Sequence, residues 1–149
     1  MSSPKKSSLR PAARSGAETI EDLAHFRYAL RKFLRFSESR ARECGITPQQ
    51  HQLMLGVAGF TGRGSATISE LAEFLQEKNH SVVGLVERAV RGGLVRRAGD
   101  PADRRLVVIS LTPRGRATLS RLSRLHRDEV QRIRSGFLPR RRERPAARG

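Results

Sequence analysis

Two short apolar segments that flank a charged turn restrict the fold of this chain more than any other feature of its sequence. Residues 94–98 and 106–111 are too short for stable helices, and Asp100-Pro101 between them favours a turn. A Gly-Gly pair precedes the first segment, and Thr112 with the proline after it forms a helix start signal behind the second. The sequence therefore predicts a β-hairpin with a basic tip, inserted between two helices.

Helical periodicity and capping signals account for most of the remaining chain. Thr47 and Thr67 each stand three residues before a Gln or Glu, which is the spacing of a capping box at a helix start. Apolar residues then recur at spacings of three and four, as on one face of an amphipathic helix. The predicted helices span residues 18–43, 48–60, 68–76, 80–91 and 113–134.

The third and fourth predicted helices each have one apolar face. The face of the third consists of Leu71, Ala72, Phe74 and Leu75. The face of the fourth consists of Val82, Leu85, Val86, Ala89 and Val90. Two such helices joined by a tight turn are the layout of a helix-turn-helix, in which the outer face of the second helix enters the major groove of DNA. The outer positions of the fourth helix are His80, Ser81, Val83, Gly84, Glu87, Arg88 and Arg91.

These elements predict a mainly α protein with a small β-hairpin wing. A winged helix-turn-helix of residues 47–112 lies between two long terminal helices, and the folded part is expected to span residues 18–134. Residues 1–17 contain four basic residues and no acid, so we expect them to be a disordered basic tail. Residues 135–149 form a second basic, arginine-rich tail.

The charge of the chain points to an anionic partner, with nucleic acid as the first candidate. Lys and Arg outnumber Asp and Glu by 30 to 14, which gives a net charge of +16. Residues 79–116 contain eight Arg against Glu87, Asp100 and Asp103, so the positive charge follows the fourth helix and the hairpin. There is one cysteine, no apolar run long enough to span a membrane and no secretory signal, and we therefore expect a soluble, cytoplasmic protein.

The residues around the tip of the hairpin resemble the wing signature of the MarR family of bacterial transcription regulators. Asp103, Arg105, five further residues and then Leu111-Thr112 give the pattern Asp-x-Arg followed by Leu-Thr. The resemblance extends over roughly residues 20–134 and includes the stretch from Ser81 to Arg88. It implies an obligate homodimer in which the terminal helices, about 18–43 and 113–134, interleave and two winged lobes bind a palindromic operator.

The resemblance also implies roles for single residues. Arg104 or Arg105 enters the minor groove, while Asp103 pairs with an Arg to hold the tip. We further expect Ser81 and His80 to bond bases or phosphates and Val83 to contact a thymine methyl. The phosphate-neutralising residues are expected to be Arg88, Arg91, Arg96 and Arg97.

Release from DNA is expected to depend on a small molecule. The resemblance implies a small anionic or phenolic effector that binds between the dimer helices and the lobe and lowers DNA affinity. The residues expected to line this effector pocket are His25, Tyr28, His51 and Met54. Packing and solvent exposure are the plainer explanation for these four side chains.

Two features depart from the family pattern. Gly84 stands where members often have Arg or another polar residue, and a glycine inside a helix costs about 1 kcal/mol relative to Ala. Close approach of DNA or of another helix would explain it. Members also usually end in a further apolar helix, whereas Phe137-Leu138-Pro139 here leads into the arginine tail.

Other functions fit the sequence less well. No Ser/His/Asp order, no pair of catalytic carboxylates and no cofactor fingerprint is present, so we expect neither an enzyme nor a bound cofactor or metal. Gly62-Arg63-Gly64-Ser65 lacks the Lys-Ser/Thr of a P-loop and is expected to be a plain turn. Cys44 could be a redox sensor, or with Glu43 and His51 a zinc ligand. The main alternative is a nonspecific architectural protein that coats nucleic acid, which the net charge and the tails favour.

Overall fold

A computed structural model describes residues 16–137, and their helices and strands follow the predicted order with one additional strand. The helices are α1 (Gly16–Glu43), α2 (Pro48–Leu55), α3 (Ile68–Leu75), α4 (Asn79–Arg91) and α5 (Pro113–Phe137). The strands are β1 (Ser65–Ala66), β2 (Val95–Gly99) and β3 (Val107–Leu111). The predicted fold class, mainly α with a small β wing, is therefore confirmed.

The two terminal helices are longer than predicted. α1 begins at Gly16 rather than at residue 18, so the predicted disordered tail is wrong for its last two residues, and α5 continues to Phe137. The rest of the predicted tails, residues 1–15 and 138–149, lies outside the described residues. α1 and α5 pack against each other. Over residues 16–137, no helix is long and apolar enough to cross a membrane.

Both predicted capping boxes are present. The hydroxyl of Thr47 accepts a hydrogen bond from the Gln50 amide at 3.1 Å, and the Gln50 side chain accepts one from the Thr47 amide at 3.0 Å. Thr67 and Glu70 form the same reciprocal pair at the start of α3, at 3.2 and 2.9 Å. Each box provides partners for two amides that a helix start would otherwise leave without one.

The second predicted helix differs from the structure in its last turn. The chain remains helical to Phe60 as predicted, but α2 ends at Leu55 and Gly56–Phe60 form a wider π-helical turn. At Gly56 the backbone lies directly against α3, where a Cβ would stand 2.6 Å from Cδ1 of Phe74 and 3.0 Å from Cδ2 of Leu71. Glycine is therefore required for this close approach.

The small sheet has three strands rather than the predicted two. β3 lies in the centre and pairs antiparallel with β1 on one side and β2 on the other. The hairpin register pairs Val95 with Leu111 and Gly99 with Val107. The additional strand is the end of the expected turn at 62–65, where Ser65 and Ala66 pair with Ser110 and Ile109. A pair of bridged residues is too short to leave a period-2 signal in the sequence.

The core joins the helix-turn-helix to the terminal helices. Its largest fully buried side chains are Leu53, Met54, Leu71, Leu94, Ile109 and Leu122. Two predicted inward residues are exposed instead. Phe74 lies at the edge of α3, where its ring packs 5.3 Å from that of Phe60, and Val90 lies on the outer side of α4. Periodicity defined the correct faces but not where the neighbouring elements stop covering them.

Two buried histidines lie where α1, α2 and α5 meet. The ring of His51 is 5.1 Å from that of His126, which also has edge contacts with Phe33 and Phe36. Nδ1 of His126 donates a hydrogen bond to the Leu122 carbonyl at 2.7 Å, whereas its Nε2 is buried and has no partner among the described residues. Burial, with a smaller contribution from His126, lowers the pKa of His51 from 6.5 to about 4.

This lowered pKa predicts a loss of stability in mild acid. The unfolded chain binds a proton at His51 below pH 6.5, but the folded chain does so only near pH 4. The free energy of unfolding should therefore fall by up to about 3 kcal/mol between pH 6.5 and pH 4, with no contribution from this group above that window. Urea unfolding of wild type and His51→Gln at pH 7.5 and 4.5 measures this decline.

The His51→Gln variant should lose less stability between pH 7.5 and pH 4.5 than wild type does. His25→Gln is the matched control, because it removes an exposed histidine from α1. The His25→Gln variant should show the same decline as wild type. An equal decline in all three proteins would mean that His51 does not titrate in the expected range.

Candidate nucleic-acid interface

One face of α4 packs into the core, and the other is open to solvent. The inner face consists of the buried residues Val82, Leu85, Val86 and Ala89. The predicted contact residues on the outer face are all accessible, with Gly84 partly covered and the others exposed: His80, Ser81, Val83, Arg88 and Arg91. α4 therefore has the form of a recognition helix, held from behind and free in front.

The surface beside the start of α4 extends onto α2. A shallow groove of about 250 Å³ separates the two helices and α3, and Ser81 and Arg88 line it together with Gln49, Gln52 and the acidic Glu77. The two glutamines are exposed and were not identified from the sequence. The sequence indicated only that these glutamines belong to a capped helix, and it did not indicate that this helix lies beside α4.

Gly84 has free space around it within the described protomer. A Cβ at this position would meet only the Arg88 guanidinium, with Nη1 at 3.5 Å. Within the described protomer, no other helix has an atom within 4 Å of that Cβ, so packing against a helix of the same protomer is not the reason for the glycine. The approach of DNA stays a prediction.

We expect Gly84→Ala to separate stability from DNA binding. The added methyl group has space, and alanine is favoured in a helix interior, so the free energy of unfolding should rise by about 0.5–1 kcal/mol. If the DNA backbone approaches α4 here, affinity for the operator should fall by about tenfold or more. Urea unfolding and fluorescence anisotropy with labelled duplex measure the two effects.

Gly59→Ala is the control for this prediction. Gly59 lies in the π-helical turn, and its Cβ would meet nothing within 4 Å. This control should leave DNA affinity unchanged. If Gly84→Ala also leaves affinity unchanged, close approach of DNA is not the reason for the glycine.

The turn at the tip of the β2–β3 hairpin is closed by its two aspartates. The amide of Asp100 donates to the Leu106 carbonyl at 2.9 Å, and the Leu106 amide donates to the Asp103 carbonyl at 3.0 Å. The carboxylates of Asp100 and Asp103 accept the amides of Ala102 and Arg105 at 2.8 and 3.1 Å. Such Asx turns replace missing backbone bonds and give the tip a defined shape.

An ion pair distinguishes the two arginines of the tip. Nε of Arg105 lies 3.1 Å from Oδ1 of Asp103, and this hydrogen bond is the main cause of the lowered pKa of that carboxyl. The Arg105 side chain is nevertheless 91% exposed. The adjacent Arg104 is exposed too and forms no ion pair within residues 16–137. Arg105 is therefore partly occupied in holding the tip, and Arg104 is the more available cation.

A second contact connects the base of the hairpin to α4. Nη2 of Arg97 lies 3.8 Å from Oε1 of Glu87, with both side chains about half exposed. Arg97 was predicted only as a phosphate contact, and in the structure it also lies within ion-pair distance of an acid on the recognition helix. The adjacent Arg96, which pairs with Ser110 of β3, is exposed as well.

The junction between the hairpin and α5 is tighter than the sequence indicated. The Thr112 hydroxyl donates to the Gly93 carbonyl at 2.6 Å and accepts the Gly115 amide at 3.0 Å. Nη1 of Arg114 donates to the Gly92 carbonyl at 3.0 Å, at the end of α4. The predicted Thr cap is thus also a connection between α4, β2 and α5, which sequence spacing alone does not reveal.

The loop before β1 is fixed to α3 by a bidentate ion pair. Nη2 of Arg63 lies 2.9 and 2.7 Å from the two carboxylate oxygens of Glu70. These bonds lower the pKa of Glu70 and raise that of Arg63. Gly62 and Gly64 have positive φ, which allows the backbone of this loop to fold back. The expected plain turn therefore also connects the edge strand β1 to α3 through its ion pair.

The four predicted effector residues lie in two different environments. His25 and Tyr28 are on the surface of α1, where their side chains face Glu21 and Lys32, respectively. His51 and Met54 are buried in the core. The effector pocket stays a prediction. No group of three or more potential metal ligands lies together within residues 16–137, and Cys44 is a partly buried free thiol.

Known proteins with related sequence and structure are transcription regulators. A profile of the MarR family matches residues 45–106. Over 103 residues the chain is 31% identical to the uncharacterized HTH-type transcriptional regulator YsmB of Bacillus subtilis (strain 168). The aligned region covers 66% of this chain and 68% of YsmB.

Two solved structures extend the comparison to more than four fifths of the chain. A mutant MarR from E. coli in complex with operator DNA superposes with a TM-score of 0.62 at 21% identity, covering 85% of this chain and 89% of that one. BpsR of Bordetella bronchiseptica, whose DNA binding is regulated by 6-hydroxynicotinic acid, gives a TM-score of 0.59 at 22% identity over 81% and 88% of the two chains. At these identities the likeness concerns the fold.

Proposed function

This chain belongs to the MarR family of transcription regulators, and on that premise we propose that it is a homodimeric repressor that binds a palindromic operator and is released from it by a small molecule. The family consists of DNA-binding regulators rather than enzymes. The observation that supports the proposal most is the shared exposure of the outer face of α4 and of the arginine tip of the hairpin, whose strand β2 packs against α4.

In the proposed complex, α4 occupies the major groove. His80 and Ser81 lie at its exposed start, where hydrogen bonds to base edges or phosphates are within reach, and Val83 presents an apolar surface to a thymine methyl. Arg88 and Arg91 follow on the last turns of the same helix and neutralise phosphates. Arg96 and Arg97 extend this positive surface to the base of the wing.

The wing is proposed to enter the adjacent minor groove. Arg104 is the cation that enters, and the pair formed by Asp103 and Arg105 maintains the shape of the turn behind it. A narrow minor groove has an enhanced negative potential that attracts an inserted arginine. The contact adds affinity and a preference for A·T-rich sequence at the flanks of the operator.

A second copy of the chain is proposed to cover the apolar residues that the terminal helices leave exposed. On α1, Ile20 is 71% and Leu23 57% exposed, and on α5, Leu125 and Val130 are exposed as well. Several large apolar side chains exposed on the terminal helices favour an association site there. A two-fold symmetric dimer requires a palindromic site with half-sites about one helical turn apart.

An effector is proposed to bind between these helices and the lobe. A small anionic or phenolic molecule would contact the exposed His25 and Tyr28 and favour a dimer geometry with lower DNA affinity, whereas the other two predicted residues, His51 and Met54, are buried in the core. The regulation of BpsR by 6-hydroxynicotinic acid supports this ligand class. As a DNA-bound regulator, the protein would act in the cytoplasm.

Selection of bound duplexes from a random library at about 150 mM salt tests the proposed function. An enriched palindrome with half-sites about 10 base pairs apart is the expected result for a dimeric regulator. The net charge of +16 supports one rival, an architectural protein that binds any duplex through its backbone. That rival predicts no enrichment in the same experiment.

A further inference from the structure

The outward face of α5 is an uninterrupted basic stripe that the proposed operator complex does not use. With successive residues 100° apart, Arg116, Arg124, Arg127 and Arg134 fall within about 80° of arc and along about 27 Å of helix. All four are exposed. The residues between them on this arc are Ser120 and Gln131, so the arc contains no acid.

The positive charge of this stripe is not compensated within the described part of the protomer. Residues 16–137 provide no ion pair to any of the four arginines, whereas Arg132, on another side of α5, pairs with Glu129 at 3.3 Å. The other acid of α5, Asp128, lies outside the arc and lines the cleft against α1 with Phe36 and Arg40. The stripe is therefore a free array of cations.

The stripe also lies on the side of α5 away from its packing contacts. Leu119, Leu122 and His126 are buried on the opposite side of the helix. The exposed apolar residues that a second copy would cover, Leu125 and Val130, fall outside the arc as well. A dimer contact centred on Leu125 would leave the stripe open, because Leu125 lies about 100° beyond the nearer edge of the arc.

We propose that this stripe binds the phosphate backbone of a second DNA duplex, so that a dimer on its operator can hold two segments of DNA together. The proposal rests on the proposed function for its first DNA segment only. A length of about 27 Å matches about eight base pairs of one strand, and arginine forms bidentate contacts with phosphate. The arc has no aromatic residue on which unpaired bases could stack, which favours a duplex over a single strand.

The composition of the stripe argues against a membrane surface as the partner. An interfacial helix inserts an apolar face next to its basic one, but Leu119 and Leu122 of α5 are buried in the protein, and its exposed Leu125 and Val130 are assigned to the proposed dimer contact. A second segment of the same DNA molecule, in contrast, is tethered near the stripe by the operator contacts, which raises its effective concentration there.

A two-step capture experiment with the full-length protein tests the proposal. An immobilised operator, identified by the library selection, is saturated with protein, washed, and then exposed to a fluorescent duplex of scrambled sequence. R124Q/R127Q removes two cations of the stripe, and R121Q/R132Q removes two from another side of the same helix. Arg and Gln have similar helix propensity, so circular dichroism should show equal folding.

Wild type and R121Q/R132Q should retain the second duplex, and R124Q/R127Q should require at least about tenfold more of it for half-capture. The salt slope of log K for scrambled duplex, measured in the R104A/R105A background, should decrease by about 2 for R124Q/R127Q only. The salt slope can be measured without an operator, so it tests the stripe even if the proposed function is wrong. Failure of the proposed function would appear separately, as a failure of the immobilised operator to bind protein in the first capture step.

Equal behaviour of the two double variants, or no retention of the second duplex by wild type, would overturn the proposal. Binding to vesicles that contain phosphatidylserine is the competing outcome. If R124Q/R127Q loses vesicle binding but retains the second duplex, the stripe is a membrane contact and not a DNA contact.

Discussion

Replacing Arg104 and Arg105 together with alanine is expected to weaken operator binding by roughly 2–4 kcal/mol, or about 30- to 1,000-fold. Both side chains lie exposed at the tip of the hairpin, and Arg105 also forms the ion pair that holds Asp103. The variant therefore removes the cation proposed to enter the minor groove and the contact that shapes the turn. Anisotropy titrations at constant salt measure the change.

R121A/R132A provides a control of equal charge. It removes two arginines from α5, away from the lobe that contains α4 and the wing, and should alter operator affinity by less than about threefold. The single variants divide the effect further, because Arg104→Ala should account for more of the loss than Arg105→Ala. Unchanged operator affinity in R104A/R105A would show that the wing does not contact DNA.

Gly115→Ala is expected to destabilise the fold strongly, although the change adds only one methyl group. Gly115 is buried in the first turn of α5, and a Cβ there would stand 2.0 Å from the Leu94 carbonyl oxygen and 3.0 Å from its carbon. These are backbone atoms, and the same carbonyl accepts the Thr112 amide at 3.0 Å. Relief of the clash would separate the wing from α5, at a cost of about 3 kcal/mol or more.

Thermal and urea unfolding should detect this effect as a decrease in Tm of about 10 °C or more. Gly84→Ala is the control, because it makes the same substitution in a helix where a Cβ has space. The two variants should therefore change stability in opposite directions. A Gly115→Ala protein as stable as wild type would mean that the backbone contact between Leu94 and α5 is easily relaxed.

The parts of the fold that depend on local sequence were predictable. The capping boxes at Thr47 and Thr67 are interactions between residues three positions apart, so their spacing specifies them without tertiary information. The same holds for the exposed face of α4, because a period of 3.6 residues separates the inner apolar positions from the outer polar ones. The recognition surface could therefore be deduced from the pattern.

The remaining features depend on contacts between distant residues. The exposure of Phe74 and Val90, the approach of Gly56 to α3 and the clash position of Gly115 are set by where other elements end. The pairs Arg63–Glu70 and Arg97–Glu87 connect different elements of the fold. The division of roles between Arg104 and Arg105 depends on a side-chain conformation that no spacing encodes.

The central claim is that the protein distinguishes one DNA sequence from others, and the ratio of two affinities tests it most directly. Wild-type protein is titrated at about 150 mM salt with the selected duplex and with a scrambled duplex of equal length and composition. A sequence-specific regulator should bind the selected duplex with an affinity at least about 10³-fold higher. A ratio near one, with equal salt slopes for both duplexes, would contradict the claim and indicate a protein that binds the DNA backbone without sequence preference.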